Sequence, residues 1–140
     1  MRVRFAIYVI LLGIWASIVG CDGLWLDTYW SSENYRLIAV DARGQMALID
    51  MRGGSGDVVG PTVFSIGADE RYIVVAQHPG DAFGRFDRSI THYFIVERTA
   101  GTSPTDPKKD IRGPLSKEEF ERLSASLSLP KFSKTFGDLK

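Results

Sequence analysis

Thiols, histidines and an excess of charge are what this 140-residue chain has least of. It carries one cysteine and two histidines, and its 17 basic side chains balance its 17 acidic ones. A single thiol excludes an internal disulfide, a zinc–thiolate cluster or a dithiol redox pair, so folding rests on apolar burial and hydrogen bonds. A neutral balance argues against electrostatic nucleic-acid binding, which needs clustered positive charge to displace counterions. The glycine-rich stretch GGSGDVVGP, residues 53–61, lacks the Gly-Lys-Ser/Thr ending with which a P-loop cradles phosphate. No Gly-x-Ser-x-Gly elbow occurs, since GGSGD holds its serine one residue out of frame. A formal Ser-x-x-Lys match, Ser128 to Lys131, is interrupted by Pro130. No carboxylate pair stands out for glycoside hydrolysis. No catalytic residue and no cofactor is therefore assigned, and the expectation is a protein that is not an enzyme.

The apolar run is short as well. After MRVR, residues 5–19 are apolar apart from Gly13 and Ser17. As a helix they reach about 22 Å, less than the roughly 30 Å hydrocarbon core of a bilayer. A basic start followed by a short apolar run reads as an export signal. Its end, Ile18, Val19, Gly20, Cys21, resembles the lipobox of bacterial lipoproteins. The resemblance implies cleavage after Gly20, a diacylglycerol thioether on Cys21 and a membrane partnership through covalent lipid. Asp22 resembles the signal that retains some lipoproteins on the inner membrane. The alternatives are an uncleaved anchor helix or a buried cysteine. Each buried methylene adds about 0.8 kcal/mol and one chain alone binds marginally, so two or three chains are needed for a lasting anchor.

The domain organisation expected is a signal peptide over 1–20, a lipidated tether over 21–34 and one small domain over 35–140. Loss of Arg2 and Arg4 leaves 15 basic against 17 acidic side chains, a balance of −2. Trp25, Tyr29 and Trp30 in the tether suit a membrane interface or docking onto the domain, and docking is the preferred reading. Runs rich in Val, Ile and Leu predict strands over 35–42, 45–51, 62–66, 71–78 and 91–98. Residues 53–61 read as a flexible connection and 99–110 as a polar loop. Ser116 with Glu119 three residues on forms a capping box, with Leu115 and Phe120 at the staple positions. Phe120, Leu123 and Leu127 share a face, so a helix is predicted that lies on the sheet and stops before Pro130. The fold class predicted is α+β: a small antiparallel sheet of about five strands with a C-terminal helix packed on it.

The order YIVVAQHP, HYFIV, GPLSKEEF resembles a group of small bacterial lipoproteins whose domains end in a strand like YFII followed by GPLTEEEF. It covers about half of the mature chain and implies a fold but no chemistry. The loop over 99–110 departs from that group.

His78 and His92 fall at the loop end of a predicted hairpin with Asp81 or Asp87 nearby. Two histidines and a mobile carboxylate are few ligands, so both read as solvated and no metal is assigned. The loop over 79–90 holds Phe83, Arg85 and Phe86, residue types enriched at interface centres. They are the candidate partner contact, although both phenylalanines can instead tuck under the loop. The expected role is an envelope lipoprotein, on the inner membrane facing the periplasm, that contacts another envelope protein without catalysis. An immunity or exclusion lipoprotein is the sharper alternative, and a minor metal-binding or hydrolytic protein a third.

Overall fold

The computed structural model describes residues 27–52, 56–98 and 110–140. The stretch expected to be an export signal, Cys21, Asp22 and nearly all of the 99–110 loop lie outside the described residues. Nine strands and one helix are present among those described, in two antiparallel sheets rather than the single sheet of about five strands expected from sequence. In the first sheet, β1 (Asp27–Ser32), β2 (Tyr35–Ala39), β3 (Ala47–Asp50) and β4 (Asp57–Val59) follow one another in order. The second comprises β5 (Val63–Ala68), β6 (Tyr72–Gln77), β7 (His92–Glu97), β8 (Ile111–Leu115) and β9 (Lys134–Thr135), in the order β8-β7-β6-β5-β9. The helix α1 spans Lys117–Leu127.

The layers follow from alternation. Along β2, Tyr35, Leu37 and Ala39 are buried while Arg36 and Ile38 are half-buried, the period of a strand with one face on a core. These three join Met46, just before β3, and Leu48 and Val59 of the first sheet in one cluster with Val63, Ile66, Ile73, Val75 and Val96 of the second. Every residue of β6 is buried because its other face is covered too. Tyr72 and Val74 pack with Ile95 against Phe120 of α1, and Leu123 and Leu127 complete that contact. The molecule is thus sheet on sheet on helix, with β6 central.

The helix starts as its sequence dictates. Ser116 Oγ accepts from the Glu119 backbone N–H at 3.2 Å, and the Glu119 carboxylate accepts from the Ser116 N–H at 2.8 Å. That backbone hydrogen bond is the main reason the Glu119 pKa lies below the usual carboxylate value. Ser128, left-handed at φ 53°, ends the helix.

Four strands lie where other structure was expected. β1 falls in the stretch assigned to the tether; Trp30 pairs with Leu37, and Tyr29 and Trp30 pack on the core. β4 falls in the connection read as flexible, and β8 carries the Gly113-Pro114 pair at a sheet edge, where a missing N–H is tolerated. β9 pairs with β5 after the chain leaves the helix.

Candidate functional site

Residues 79–90 form a small, heavily bonded hairpin. Gly80 and Phe86 pair as an isolated antiparallel bridge. The Asp81 N–H donates to the Arg85 carbonyl at 2.9 Å, and the Asp87 N–H to that of Pro79 at 3.0 Å. Asp81 Oδ1 accepts from the backbone of Phe83 at 2.9 Å and of Arg85 at 3.1 Å, while Oδ2 meets Arg85 Nε at 2.7 Å. The Arg85 side-chain hydrogen bond is the chief cause that holds the Asp81 pKa below the usual range. Asp87 has the same role in the following turn, with its pKa lowered first by the Ser89 hydroxyl at 2.6 Å.

The three candidate contact residues separate in space. Phe83 is 79% exposed at the tip, with the Arg85 guanidinium 5.5 Å from its ring centre. Arg85 is exposed beside it. Phe86 turns inward and packs against the main core, its ring parallel to that of His78 at 6.0 Å. One of the two phenylalanines therefore tucks under the loop and the other does not.

His78 is not solvated, as its position at a strand end suggested, but 3% exposed. Phe64 stacks on it at 4.3 Å. Its Nδ1 lies 2.7 Å from the Ile90 carbonyl, which can only accept, so Nδ1 carries the proton. Nε2 is buried without a partner. The imidazole thus pins both ends of the hairpin: residue 78 precedes it, Phe86 lies against the ring and Ile90 is bonded to it. His92 stands opposite Gln77 and not His78. Among the described residues, no group of three or more His, Cys, Asp or Glu is placed to hold a metal.

The hairpin rests on the first sheet through a 3₁₀ turn, Arg43–Gln45. The Gln45 side-chain amide donates to the Ala82 carbonyl, and Thr62 Oγ donates to the Gly44 carbonyl. Gly44 has no room for a side chain, since a Cβ there would lie 2.1 Å from the Gly84 carbonyl oxygen. Gly44→Ala is expected to push the hairpin off its seat and cost roughly 1–3 kcal/mol, the usual range for overpacking. Urea unfolding checks the loss, and amide exchange should show faster opening over residues 79–90 than over β6.

Between the hairpin and the first sheet lies a cleft of about 380 Å³. Its apolar walls include Ile38, Val40, Ala47 and Pro61, and Asp41, Asp57 and Asp81 also line it. Burial of the Asp57 carboxyl raises its pKa. The sequence pattern pointed to Asp81 but not to Asp41 and Asp57, which are distant in the chain and line one cleft only because β2 pairs with β3 and β3 with β4. The signal that was present for the hairpin is Asp81-x-x-x-Arg85, preceded by Gly80 and with Gly84 inside it.

This hairpin and every strand but β1 lie within a matched segment: residues 32–136 match a family described as a protein of unknown function (DUF3997). The chain belongs to that family. Neither a curated protein nor a solved structure matches. The DUF3997 segment runs from the last residue of β1 to Phe136, so it takes in β2 to β9, α1 and the hairpin. Among the described residues of this DUF3997 protein, no helix is long and apolar enough to cross a membrane.

Proposed function

We propose that this protein is a lipid-anchored envelope module that acts by binding another envelope protein through the 79–90 hairpin, without catalysis. Support for the anchor comes from the amino-terminal pattern: two arginines, a short apolar run and the lipobox-like Ile18-Val19-Gly20-Cys21. Support for the contact rests on one observation, the exposure of Phe83 on a loop too well bonded to fold it away. A large aromatic side chain held in water by a fixed backbone loses little further entropy when a partner covers it. Arg85 beside it adds the second residue type favoured at interface centres. Asp22 directs the anchored protein to the inner membrane on this reading, with the domain in the periplasm.

The full chain carrying a photo-cross-linking residue in place of Phe83 tests both halves. A discrete adduct with an envelope protein is expected, absent when the probe replaces Glu121 on the exposed face of α1. Mass spectrometry should find acyl chains on Cys21, and Cys21→Ser should be released from the membrane fraction. No adduct above the Glu121 control would overturn the binding reading; an unlipidated native chain would overturn the anchor. An adduct with an incoming toxin would make the module an immunity protein.

A further inference from the structure

The cleft beside Phe83 has the wrong electrostatics to be an ordinary apolar pocket. Ile38, Val40, Ala47, Pro61 and Ala82 give it apolar walls and Gln45 an amide, yet Asp41 and Asp57 also line it with no hydrogen-bonded or ion-paired cation among the described residues. None of the described residues that line it is basic. Asp81 is already matched by Arg85, so the uncompensated charge belongs to the other two. Gly60 opens the space for one of them: a Cβ there would lie 2.6 Å from the Ala47 Cβ and 3.0 Å from Asp57 Oδ2. Val40, an exposed apolar side chain, lines the cleft, and the exposed Phe83 follows the lining residue Ala82 in the chain.

We infer that this cleft receives a lysine or arginine side chain from a basic segment of the partner polypeptide. Charge complementarity selects that occupant. A long aliphatic stem with a cationic head is the side-chain form that satisfies apolar walls and carboxylates together, because the stem stays dry while the head reaches the acids. An acidic or neutral polar side chain leaves Asp41 and Asp57 facing like charge or nothing. A wholly apolar one removes water from both carboxylates without replacing it. Phe83, the chain neighbour of the lining residue Ala82, is then within reach of the segment that carries the cation and packs on it. The raised pKa of Asp57 fits this arrangement: partial burial disfavours its ionised form, which a cation beside it would favour.

The inference rests on the binding role proposed above and names the chemistry of the partner, so its test is kept separate from the cross-link. The full chain in detergent is titrated with short labelled peptides of alternating Leu and Ser whose central residue is Lys, Arg, norleucine or Glu, and fluorescence anisotropy is read. Lys or Arg at the centre should bind about tenfold or more tighter than norleucine, and Glu should not bind. Added salt should weaken the Lys and Arg peptides and leave the norleucine peptide unchanged. Asp57→Asn should erase the preference while melting no earlier than the parent. Asp41→Asn should reduce it, and it serves if the first variant is misfolded; both positions are exposed. Equal binding of all four peptides, or an unaltered preference in both variants, overturns the inference, and the cross-link from position 83 still decides the binding role. Binding of free spermidine that depends on Asp57, with no peptide binding, makes the cleft a small-amine site and overturns it as well.

Discussion

Asp50→Asn is expected to cost about 3–5 kcal/mol, the range for breaking a buried ion pair from one side. Asp50 and Arg52 are each only 7% exposed in their side chains. Asp50 Oδ1 accepts from the Arg52 backbone N–H at 2.9 Å and from Nε at 3.0 Å, and Oδ2 from Nη2 at 2.7 Å. The same Nη2 lies 3.1 Å from the Tyr35 hydroxyl, and Tyr35 is the cross-strand partner of Asp50. Asparagine removes the negative charge and leaves the guanidinium in place, so the desolvation of the cation loses the carboxylate that offsets it. Adding Arg52→Met to Asp50→Asn should recover much of the loss, and the double-mutant cycle then reads the coupling directly. Midpoints of urea unfolding measure all three variants.

The pair also gives an acid signature. Burial by itself raises the Asp50 pKa, but the hydrogen bonds and charge of Arg52 outweigh it and the net shift is downward. A carboxylate whose folded pKa lies below its unfolded value stabilises the fold fully above the unfolded value, about 3.9. That stability is lost as pH falls from there through the folded pKa. The wild type should therefore weaken below about pH 4 more steeply than Asp50→Asn, which keeps only the slope of the other lowered carboxylates.

A loss of similar size, about 3–5 kcal/mol, is expected for Phe136→Ala, in the range for removing a buried aromatic ring. Phe136 and Leu139 are buried in the main core although they follow the last strand. Tyr29 of β1 meets the Phe136 ring edge-on at 6.0 Å, and the Arg43 guanidinium lies 5.6 Å from its centre. Asp138 then joins the tail to both the 3₁₀ turn and the hairpin. Its carboxylate accepts from Arg43 Nε at 2.6 Å and Nη2 at 2.9 Å, and its carbonyl accepts from Arg88 Nη2 at 2.6 Å. The ion pair is solvent-exposed, so Asp138→Asn should change stability little, whereas the ring should account for nearly all of the effect. If Asp138→Asn proved as damaging as Phe136→Ala, the tail would act through charge and this assignment would fall.

The five strands legible in the sequence are β2, β3, β5, β6 and β7, all interior to their sheets. The four that were not, β1, β4, β8 and β9, are the four sheet edges. An interior strand is flanked on both sides and covered, so it shows as an apolar or alternating run. An edge strand keeps one side in water, is short, and tolerates the Gly and Pro that punctuate sequences. Asp27–Ser32 is mostly polar, Asp57–Val59 follows a glycine cluster, Ile111–Leu115 holds Gly-Pro, and Lys134–Thr135 has two residues. Edges are where pattern carries least information. The loss of four of them is also why two sheets read as one.

The site was legible in residue types and not in their directions. Phe83, Arg85 and Phe86 stood out by composition, yet nothing local separates an outward phenylalanine from an inward one three residues on. His78 and the core decide it, because Phe86 has a buried ring to lie against and Phe83 has an aspartate-held turn beneath it. The cleft acids were invisible for a similar reason, since Asp41 and Asp57 are brought together only by strand pairing.

By itself the sequence determined the helix and its cap, the interior strands and the basic, apolar and cysteine-bearing start, because each is a pattern complete within a few consecutive residues. Tertiary structure alone decided the second sheet, the burial of the tail and the acidic cleft beside an exposed ring. Those depend on which distant segments share a surface, and burial energy is set by that shared surface rather than by neighbours along the chain.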